Sequence, residues 1–296
     1  MKVLVTGGTG FVGPKVVHAL RARGHDVRAL VRRPEREKTL AAWGCELAQG
    51  DMTEPASLDR AAQGCDAVVH LVAIIQGPPT AYRQIMEQGT RDLVSAAGRA
   101  GVGRFVLMSA LGTSEQNRDL TPYFHAKWEM EQTVASSGLE HVVFRPSFVF
   151  GSDGGVLPIF LRQVRLAPFT PVIGSGEERF QPVWVEDVAA FFAQAVDSPA
   201  AANRTFKIGG PEVVSWNAFY ARVKKVLGVR RGTMHVPVGL ARVGAAVVER
   251  LPRAPVTRDQ LTMLTEAGDN VCDNGPALAT FDVDLVGLDE QIRRAA

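Results

Sequence analysis

Short runs of consecutive apolar residues alternate, through the first part of this chain, with longer stretches whose apolar positions recur at helical spacing. A continuous apolar run is typical of a parallel strand covered on both faces, and recurrence every three or four residues is typical of an amphipathic helix. The pattern predicts strands at Lys2–Thr6, Asp26–Val31, Cys45–Ala48, Asp66–Val72, Arg104–Ser109, Val142–Phe150 and Arg204–Ile208. Strands that alternate with helices in this way predict an α/β fold with a doubly wound parallel sheet.

The alternation becomes irregular after Gly151, where glycines and prolines interrupt it. We therefore divide the chain into a core, a first piece of a second lobe, a return to the core, and a small, mostly helical C-terminal lobe. The predicted bounds of these parts are 1–151, 152–179, 180–210 and 211–296. In the last part, Ser215 can cap a helix that reaches Leu227, and Thr257 with Gln260 has the spacing of a capping box.

The first strand leads directly into the glycine-rich run Gly7–Gly13, and a helical pattern follows from Pro14. A glycine at Gly7 permits a sharp turn, one at Gly10 permits close approach of a pyrophosphate, and one at Gly13 permits tight helix–strand packing. The unbonded N–H groups of the new helix would then face the phosphates. An ordinary tight turn is the alternative, but the strand before the glycines and the helix after them predict a nucleotide site.

Arg32 and Arg33 follow the second strand, about 20 residues after the glycines, where an NAD-preferring site places an acidic residue on the ribose. Two guanidinium groups suit a 2′-phosphate instead, through charge-assisted hydrogen bonds. We therefore predict NADP(H) as the preferred cofactor and NAD(H) as the alternative. The other interpretation of Arg32 and Arg33 is a basic turn that is simply exposed to solvent and binds no cofactor. After the third strand, Asp51 can accept from the adenine amino group or cap the next helix.

Tyr123 and Lys127 lie four residues apart in a predicted helix and therefore share one face of it. A nearby ammonium and a nicotinamide ring would favour the phenolate and lower the pKa of Tyr123, which predicts a general acid/base. A surface pair is the alternative for such spacing. The helix follows the fifth strand, whose carboxyl end lies at the sheet edge where ligands bind, and this favours the catalytic interpretation.

Composition and charge exclude several classes of protein. The 296 residues, 46% of them hydrophobic, suffice for a large core, and Lys+Arg 33 against Asp+Glu 31 predicts no nucleic-acid face. No apolar run reaches the ~20 residues of a membrane helix, and the N-terminus has the pattern of a strand rather than of a signal peptide. The 3 cysteines lack metal-ligand spacing. We expect a cytoplasmic protein with reduced thiols and no metal.

One apolar stripe falls outside these elements. Leu240, Val243, Val247 and Leu251 recur at helical spacing within Val236–Leu251. Packing of this helix on its own lobe is the favoured interpretation, and a face for a protein partner or a membrane surface is the alternative.

Several motifs together resemble the extended and atypical short-chain dehydrogenase/reductase superfamily, whose nucleotide-binding core is a Rossmann fold. Besides the glycine run they are Gly50-Asp51, His70–Ala73, Gln88–Thr90, Tyr123 with Lys127, Arg145-Pro146 and Phe180–Val188. A narrower likeness rests on Ser109–Gly112, Thr257–Leu261 and Asp269–Val271. These segments resemble the group that contains the nucleotide-binding accessory subunit of respiratory complex I and its bacterial relatives, many of them labelled as nucleotide-sugar epimerases.

The resemblance implies roles for individual residues. Tyr123 would transfer the proton, Lys127 would hold the ribose and tune Tyr123, and Ser109 is the serine nearest to the family's catalytic position. The implied cofactor-binding residues are Gly7, Thr9, Gly10, Phe11, Val12, Gly13, Arg32, Arg33, Asp51, Met52, Leu71, Val72, Ala73, Ser109, Tyr123, Lys127, Pro146 and Phe148.

Two positions depart from the family pattern. Met86 stands where the family has an asparagine, and Leu111 stands where the catalytic serine falls, so that Thr113 or Ser114 could replace that hydroxyl only if the loop folds back. Two functions follow. The first is an oxidoreductase or a nucleotide-sugar-epimerase-like enzyme with an unknown small-molecule substrate. The second is a non-catalytic dinucleotide-binding accessory or assembly protein whose C-terminal lobe docks a protein partner. We favour the enzyme because the Tyr–Lys pair is intact.

Overall fold

Seven parallel strands form the central sheet of the computed structural model, which describes residues 1–249 and 257–296. In chain order, the strands of the described residues, including the short ones outside this sheet, are β1 Lys2–Thr6, β2 Asp26–Val31, β3 Glu46–Gln49, β4 Ala67–His70, β5 Arg104–Met108, β6 Glu140–Pro146, β7 Val149–Phe150, β8 Thr170–Ile173, β9 Arg179–Phe180, β10 Val183–Trp184, β11 Arg204–Ile208, β12 Val214–Ser215 and β13 Thr233–Val236. The order across the sheet is β11-β6-β5-β4-β1-β2-β3. The predicted doubly wound Rossmann sheet is confirmed.

Helices cover both faces of this sheet. In chain order, the α-helices of the described residues, those of the second lobe included, are α1 Gly13–Ala22, α2 Lys38–Ala42, α3 Pro55–Ala62, α4 Pro79–Ala81, α5 Gly89–Arg99, α6 Pro122–Ala135, α7 Leu157–Leu166, α8 Val185–Ala195, α9 Trp216–Leu227, α10 Val238–Val248, α11 Arg258–Thr265, α12 Gly275–Leu278 and α13 Leu288–Ala295. A π-helical segment, Tyr82–Gln88, connects α4 to α5. Single turns of 3₁₀-helix occur at Pro34–Arg36 and Pro199–Ala201.

The strand register follows from burial on both faces. Val3 pairs with Val27 on one side and with Ala67 on the other, so β1 lies inside the sheet, between β2 and β4. One face packs on α1 and α8, and the other packs on α3, α5 and α6. The carboxyl ends of β1, β4, β5 and β6 therefore meet at one edge, between the two helical layers.

The second lobe has a core of its own. Phe150, Phe180 and Phe219 are buried there with apolar residues of α7 and α13. The last part of the chain contributes to both units, because Phe281 packs on Phe206, with ring centroids 5.1 Å apart, in the core beneath the central sheet.

Most predicted element bounds agree with the structure within a residue or two, and two differ in kind. The predicted strand Val142–Phe150 is two strands, because the chain turns at Ser147 and Val149–Phe150 then pairs with β10 outside the central sheet. The helix that the apolar spacing predicts after the fourth strand, at about 81–100, contains the π-helical segment Tyr82–Gln88. The caps at Ser215 and at Thr257 with Gln260 are confirmed.

The apolar stripe on α10 is exposed where the structure describes its side chains. Leu240 is 64% exposed and Val243 is 63% exposed, so the interpretation that these residues pack on their own lobe is wrong. Val247 and Leu251 lie outside the described side chains. Within residues 1–249 and 257–296 no helix is long and apolar enough to cross a membrane.

Candidate active site

The glycine loop has the geometry of a phosphate cradle. Gly7 has a φ of +76°, and a Cβ there would lie 3.0 Å from the backbone of both Leu71 and Val72. A Cβ at Gly13 would lie 2.2 Å from the carbonyl oxygen of Gly7. The start of α1 therefore touches the turn after β1, while Thr9 and Gly10 remain exposed above it. These residues fit a dinucleotide, because a loop of side-chain-free backbone and the N-terminus of a helix lie together at the carboxyl end of β1.

Phe11 of this loop is enclosed by the first residues of the second lobe, a contact that we did not predict. A Cβ at Gly151, Gly154 or Gly155 would lie between 2.4 and 2.8 Å from atoms of the Phe11 ring. Lys15, at the start of α1, forms an ion pair of 3.0 Å with Asp153 in the same segment. The closely spaced glycines were the sequence signal for this contact. The dinucleotide loop and the beginning of the lobe are thus interlocked.

The predicted ribose and adenine residues lie after neighbouring strands. Arg32 and Arg33 are exposed at the end of β2, and neither forms an ion pair within the described parts of the chain. The N–H of Gly50 donates to the carbonyl oxygen of Val31, which brings Asp51 close to the same strand end. Asp51 does not cap α3. Its carboxylate accepts from the backbone N–H and the hydroxyl of Thr53.

The remaining predicted cofactor residues follow the other strand ends. Leu71 is buried, Val72 is half-buried and Ala73 is exposed just beyond β4. Met52 is buried behind this edge, where a Cβ at Gly89 would lie 3.0 Å from its carbonyl oxygen. Its side chain is therefore part of the core.

Tyr123 and Lys127 lie on one face of α6, beside the end of β5. Thr121 caps the helix by accepting from the N–H of Phe124 at 3.2 Å. The Lys127 Nζ lies 5.8 Å from the centre of the Tyr123 ring and donates to the carbonyl oxygen of Met108 at 2.6 Å. Lys127 is only 1% exposed, so the surface-pair alternative is excluded.

Burial controls the charge state of both residues. It lowers the pKa of Lys127 to about 7, and the neighbouring Glu131 opposes this effect. Burial raises the pKa of Tyr123, and the neighbouring Tyr82 hydroxyl raises it further. The prediction that Lys127 lowers the pKa of Tyr123 is therefore wrong for the polypeptide by itself, since desolvation of the phenolate is the larger effect. Tyr123 holds its proton at neutral pH.

A buried polar chain that we did not predict supports this edge of the sheet. The Nδ1 of His70 lies 2.6 Å from the Thr6 hydroxyl, and its Nε2 lies 3.0 Å from the Thr90 hydroxyl. Thr90 donates its single proton to the carbonyl oxygen of Met86, so it accepts from His70 Nε2–H, and Thr6 donates to Nδ1. Burial lowers the pKa of His70 to about 3, which keeps the ring neutral. The histidine at the end of an apolar strand was the available signal.

The loop after β5 folds back on itself. Ser109 donates to the hydroxyl of Thr113 at 3.3 Å, and both residues are buried. Ser114 points elsewhere, because its hydroxyl accepts from the N–H of Asn117. The loop thus brings Thr113 against Ser109, and a part for either hydroxyl in catalysis stays a prediction. The backbone N–H of Leu111 donates to the carbonyl oxygen of Pro146 at 2.8 Å.

The segment after β6 joins the C-terminal lobe to this edge. The hydroxyl of Ser147, between Pro146 and Phe148, donates to the side-chain oxygen of Asn270 at 2.5 Å. Asn270 in turn donates its N–H to the carbonyl oxygen of Arg179. Two sequence-distant segments thus close the far side of the site.

Within the described residues no group of three His, Cys, Asp or Glu side chains could hold a metal.

Comparison with known proteins gives the family. A model of the NAD dependent epimerase/dehydratase family matches residues 3–209. The chain belongs to this family. The superfamily resemblance found in the sequence is thereby confirmed, while the narrower likeness to the complex I subunit group stays a prediction.

The relatives differ in what they do. Ceramide reductase of Caulobacter vibrioides is 28% identical over 83% of this chain and 77% of its own length. The photosystem II assembly factor Ycf39 of Synechocystis is 26% identical over 82% of this chain and 72% of its own. The structure of the NADPH-dependent quinone oxidoreductase QOR2 of Escherichia coli, complexed with NADPH, superposes with a TM-score of 0.78 at 21% identity, covering 98% of each chain. The family therefore includes both enzymes and an assembly factor.

Proposed function

We propose that the chain is an NADP(H)-dependent oxidoreductase that reduces a carbonyl group, with Tyr123 as the proton donor. The observation that carries this proposal is the Tyr123–Lys127 pair on α6. Lys127 is buried beside the end of β5 and fixed to the carbonyl oxygen of Met108. An amine buried so completely is costly for folding, and perturbed groups of this kind concentrate at functional sites.

The cofactor assignment rests on the glycine loop and the basic residues after β2. The close approach of Gly7 and Gly13 leaves room for a pyrophosphate at the start of α1. Arg32 and Arg33 would hold a 2′-phosphate, because they are exposed and unengaged by carboxylates within the described residues. QOR2, a structural neighbour, was solved with NADPH. The bound cofactor supplies the hydride that adds to the carbonyl carbon.

The protein's own residues handle the proton. Tyr123 carries its proton at neutral pH, because burial raises the pKa of its phenol. As the carbonyl oxygen gains negative charge, Tyr123 donates its proton to it. Lys127, whose pKa is about 7, holds its Nζ 5.8 Å from the centre of the ring that becomes the phenolate. The buried Ser109 and Thr113 hydroxyls are the candidates for orienting the carbonyl, because Leu111 cannot.

The test is turnover of NADPH with a panel of ketones, quinones and nucleotide sugars. Tyr123→Phe should lower kcat by ~10²–10⁴-fold, the scale for losing a positioned acid, and should leave NADPH affinity nearly unchanged. Tyr220→Phe is the matched control, because that phenol lies in the lobe and contacts Gln163. Equal turnover by the Tyr123→Phe and Tyr220→Phe proteins would contradict the assignment.

A second candidate function is a non-catalytic accessory or assembly protein. The exposed Leu240 and Val243 on α10 favour it, because they leave an apolar surface uncovered. Under this function no substrate of the panel would be turned over and Tyr123→Phe would be silent. Replacing Leu240 and Val243 by serine would then abolish capture of a partner protein.

A further inference from the structure

A small cavity lies between the loop after β5 and the C-terminal lobe. Its walls include Leu111 and Phe124 from the core, Phe148 after β6, and Met263 and Leu264 from α11. Phe124 follows Tyr123 directly, and Leu111 stands where the family has its catalytic serine. The ring of Tyr123 does not line the cavity, but its centroid lies 6.0 Å from that of Phe124, which does.

One wall of the cavity is aromatic and rigid. The rings of Phe180 and Trp216 are stacked, with centroids 4.2 Å apart and planes 26° apart. Phe148 meets both rings edge-on, at 5.5 Å and 5.7 Å. Such a wall offers a large apolar area with few rotatable bonds, which suits a flat apolar ligand.

The polar groups at the rim are already engaged with one another. Arg179 donates to Asp269 through its backbone N–H at 2.9 Å and its Nε at 2.8 Å, and its Nη2 lies 2.7 Å from the same carboxylate. The side-chain oxygen of Asn270 accepts from Ser147. A ligand would therefore find few unsatisfied donors here.

The charge of the rim disfavours an anionic ligand. Among the residues that line the cavity, Arg179 is cationic while Glu178 and Asp269 are anionic. A diphosphate would meet a net negative rim, and breaking the Arg179–Asp269 pair to bind it would leave a carboxylate uncompensated. The cavity has a volume of about 60 Å³, so its walls must move to admit either class of ligand, and the charge of the rim rather than its size distinguishes the two.

We propose that this cavity selects an uncharged, predominantly apolar carbonyl compound, such as an aromatic ketone or a quinone, and excludes nucleoside diphosphate sugars. The proposal rests on the proposed reductase function and adds its substrate class. Bound NADPH would supply a hydride to the carbonyl carbon and Tyr123 a proton to the carbonyl oxygen as the C=O π bond breaks, which leaves NADP⁺, the phenolate and an alcohol that, for a quinone, is a tautomer of the hydroquinone. The flexible Met263 side chain can move to admit the ring.

The first experiment measures binding without turnover. The probe is 2,3-dimethyl-1,4-naphthoquinone, whose substituted ring carbons resist addition of thiols, and the competing class is represented by UDP-glucose. With the protein loaded with NADP⁺, the quinone should quench tryptophan fluorescence, and Trp216→Phe should remove most of this quenching. UDP-glucose should neither quench nor displace the quinone. Tighter binding of UDP-glucose than of the quinone would overturn the proposal.

The second experiment places the ligand. Leu264→Asp should weaken quinone binding at least tenfold and leave NADP⁺ affinity unchanged. Leu166→Asp is the matched control, because that leucine is exposed on α7 and does not line the cavity. Met263→Gln, a substitution of similar size, provides the same test if the aspartate variant fails to fold. Equal quinone affinity in the cavity variants and the control would refute the placement.

Turnover separates this proposal from the proposed function. In this experiment NADPH replaces NADP⁺. If the protein reduces the quinone, and if both Leu264→Asp and Tyr123→Phe slow this reduction, the result supports the proposed function and the cavity assignment together. If the quinone binds in a way that depends on Leu264 but is not reduced, the proposed reductase function is contradicted and the proposed ligand class is supported. Reduction of ketones or quinones that is insensitive to Leu264 and Met263 contradicts the cavity assignment while the reductase stands.

Discussion

Replacing Gly13 by alanine should both destabilise the protein and abolish dinucleotide binding. The new Cβ would lie 2.2 Å from the carbonyl oxygen of Gly7 and 2.5 Å from the carbonyl carbon of Gly8. Ordinary contacts need more than 3 Å, so α1 or the glycine loop must move by about 1 Å. Overpacking of this kind costs about 1–3 kcal/mol. The gain in helix propensity from glycine to alanine, at most ~1 kcal/mol, offsets only part of this cost.

The matched variant is Gly10→Val, which tests the ligand rather than the fold. A Cβ at Gly10 would meet the carbonyl oxygen of Gly7 at 3.4 Å and nothing else within 4 Å. Its added side chain would extend into the space where a pyrophosphate approaches the loop. We therefore expect NADPH affinity to fall at least tenfold with little change in Tm.

Thermal unfolding and NADPH titration of both variants provide the assay. Gly13→Ala should lower Tm by several degrees, at roughly 2–4 °C for each kcal/mol of destabilisation, and should lose NADPH binding as well. Gly10→Val should lose binding alone. The reasoning would be refuted by normal NADPH affinity in Gly10→Val, or by an unchanged Tm in Gly13→Ala.

Three further predictions concern other parts of the site. Replacing Arg32 and Arg33 by alanine should weaken NADPH binding by on the order of 1–3 kcal/mol for each charge-assisted hydrogen bond to the 2′-phosphate that is removed, and should spare NADH, as paired titrations would show. The pKa of His70 is about 3 against 6.5 in the unfolded chain, so the unfolded state binds the extra proton and stability falls as the pH drops below 6.5. Urea unfolding at pH 7 and pH 5 should show a smaller loss of stability for His70→Gln than for the unmodified protein. Gly154→Ala should displace Phe11 and weaken NADPH binding, whereas Gly98→Ala, which meets nothing within 4 Å, should not.

The central sheet was predictable because parallel strands buried on both faces leave a strong local signal. Val3, Leu4 and Val5 are all fully buried, which is why they form an unbroken apolar run. The glycine loop was also predictable from a local signal, because Gly7 and Gly13 are required by the backbone conformation and close packing at their own positions. Strand ends were less well determined. Leu71 is as apolar as Val69 and its N–H still donates to the carbonyl oxygen of Thr6, although β4 ends at His70.

The far side of the site could not be predicted, because distant segments of the chain meet there. Ser147 and Asn270 are hydrogen-bonded across a separation of 123 residues. Nothing in their local sequence predicts this pair, which forms only when the lobe packs on the sheet. The cavity beside Leu111 exists for the same reason.

The two departures from the family pattern act differently on the site. Met86 fills the core with its side chain, while its carbonyl oxygen is held by Thr90 in the buried chain that includes His70, so the scaffold beside Lys127 remains ordered. Leu111 instead places an apolar side chain, where the family resemblance implies a serine, at the wall of a cavity that Phe124, Phe148 and Leu264 also line. A site that had merely lost its chemistry would gain nothing from keeping Lys127 buried, since a buried amine costs folding free energy. The combination of a retained acid/base pair with an apolar wall therefore favours a change of substrate over a loss of catalysis.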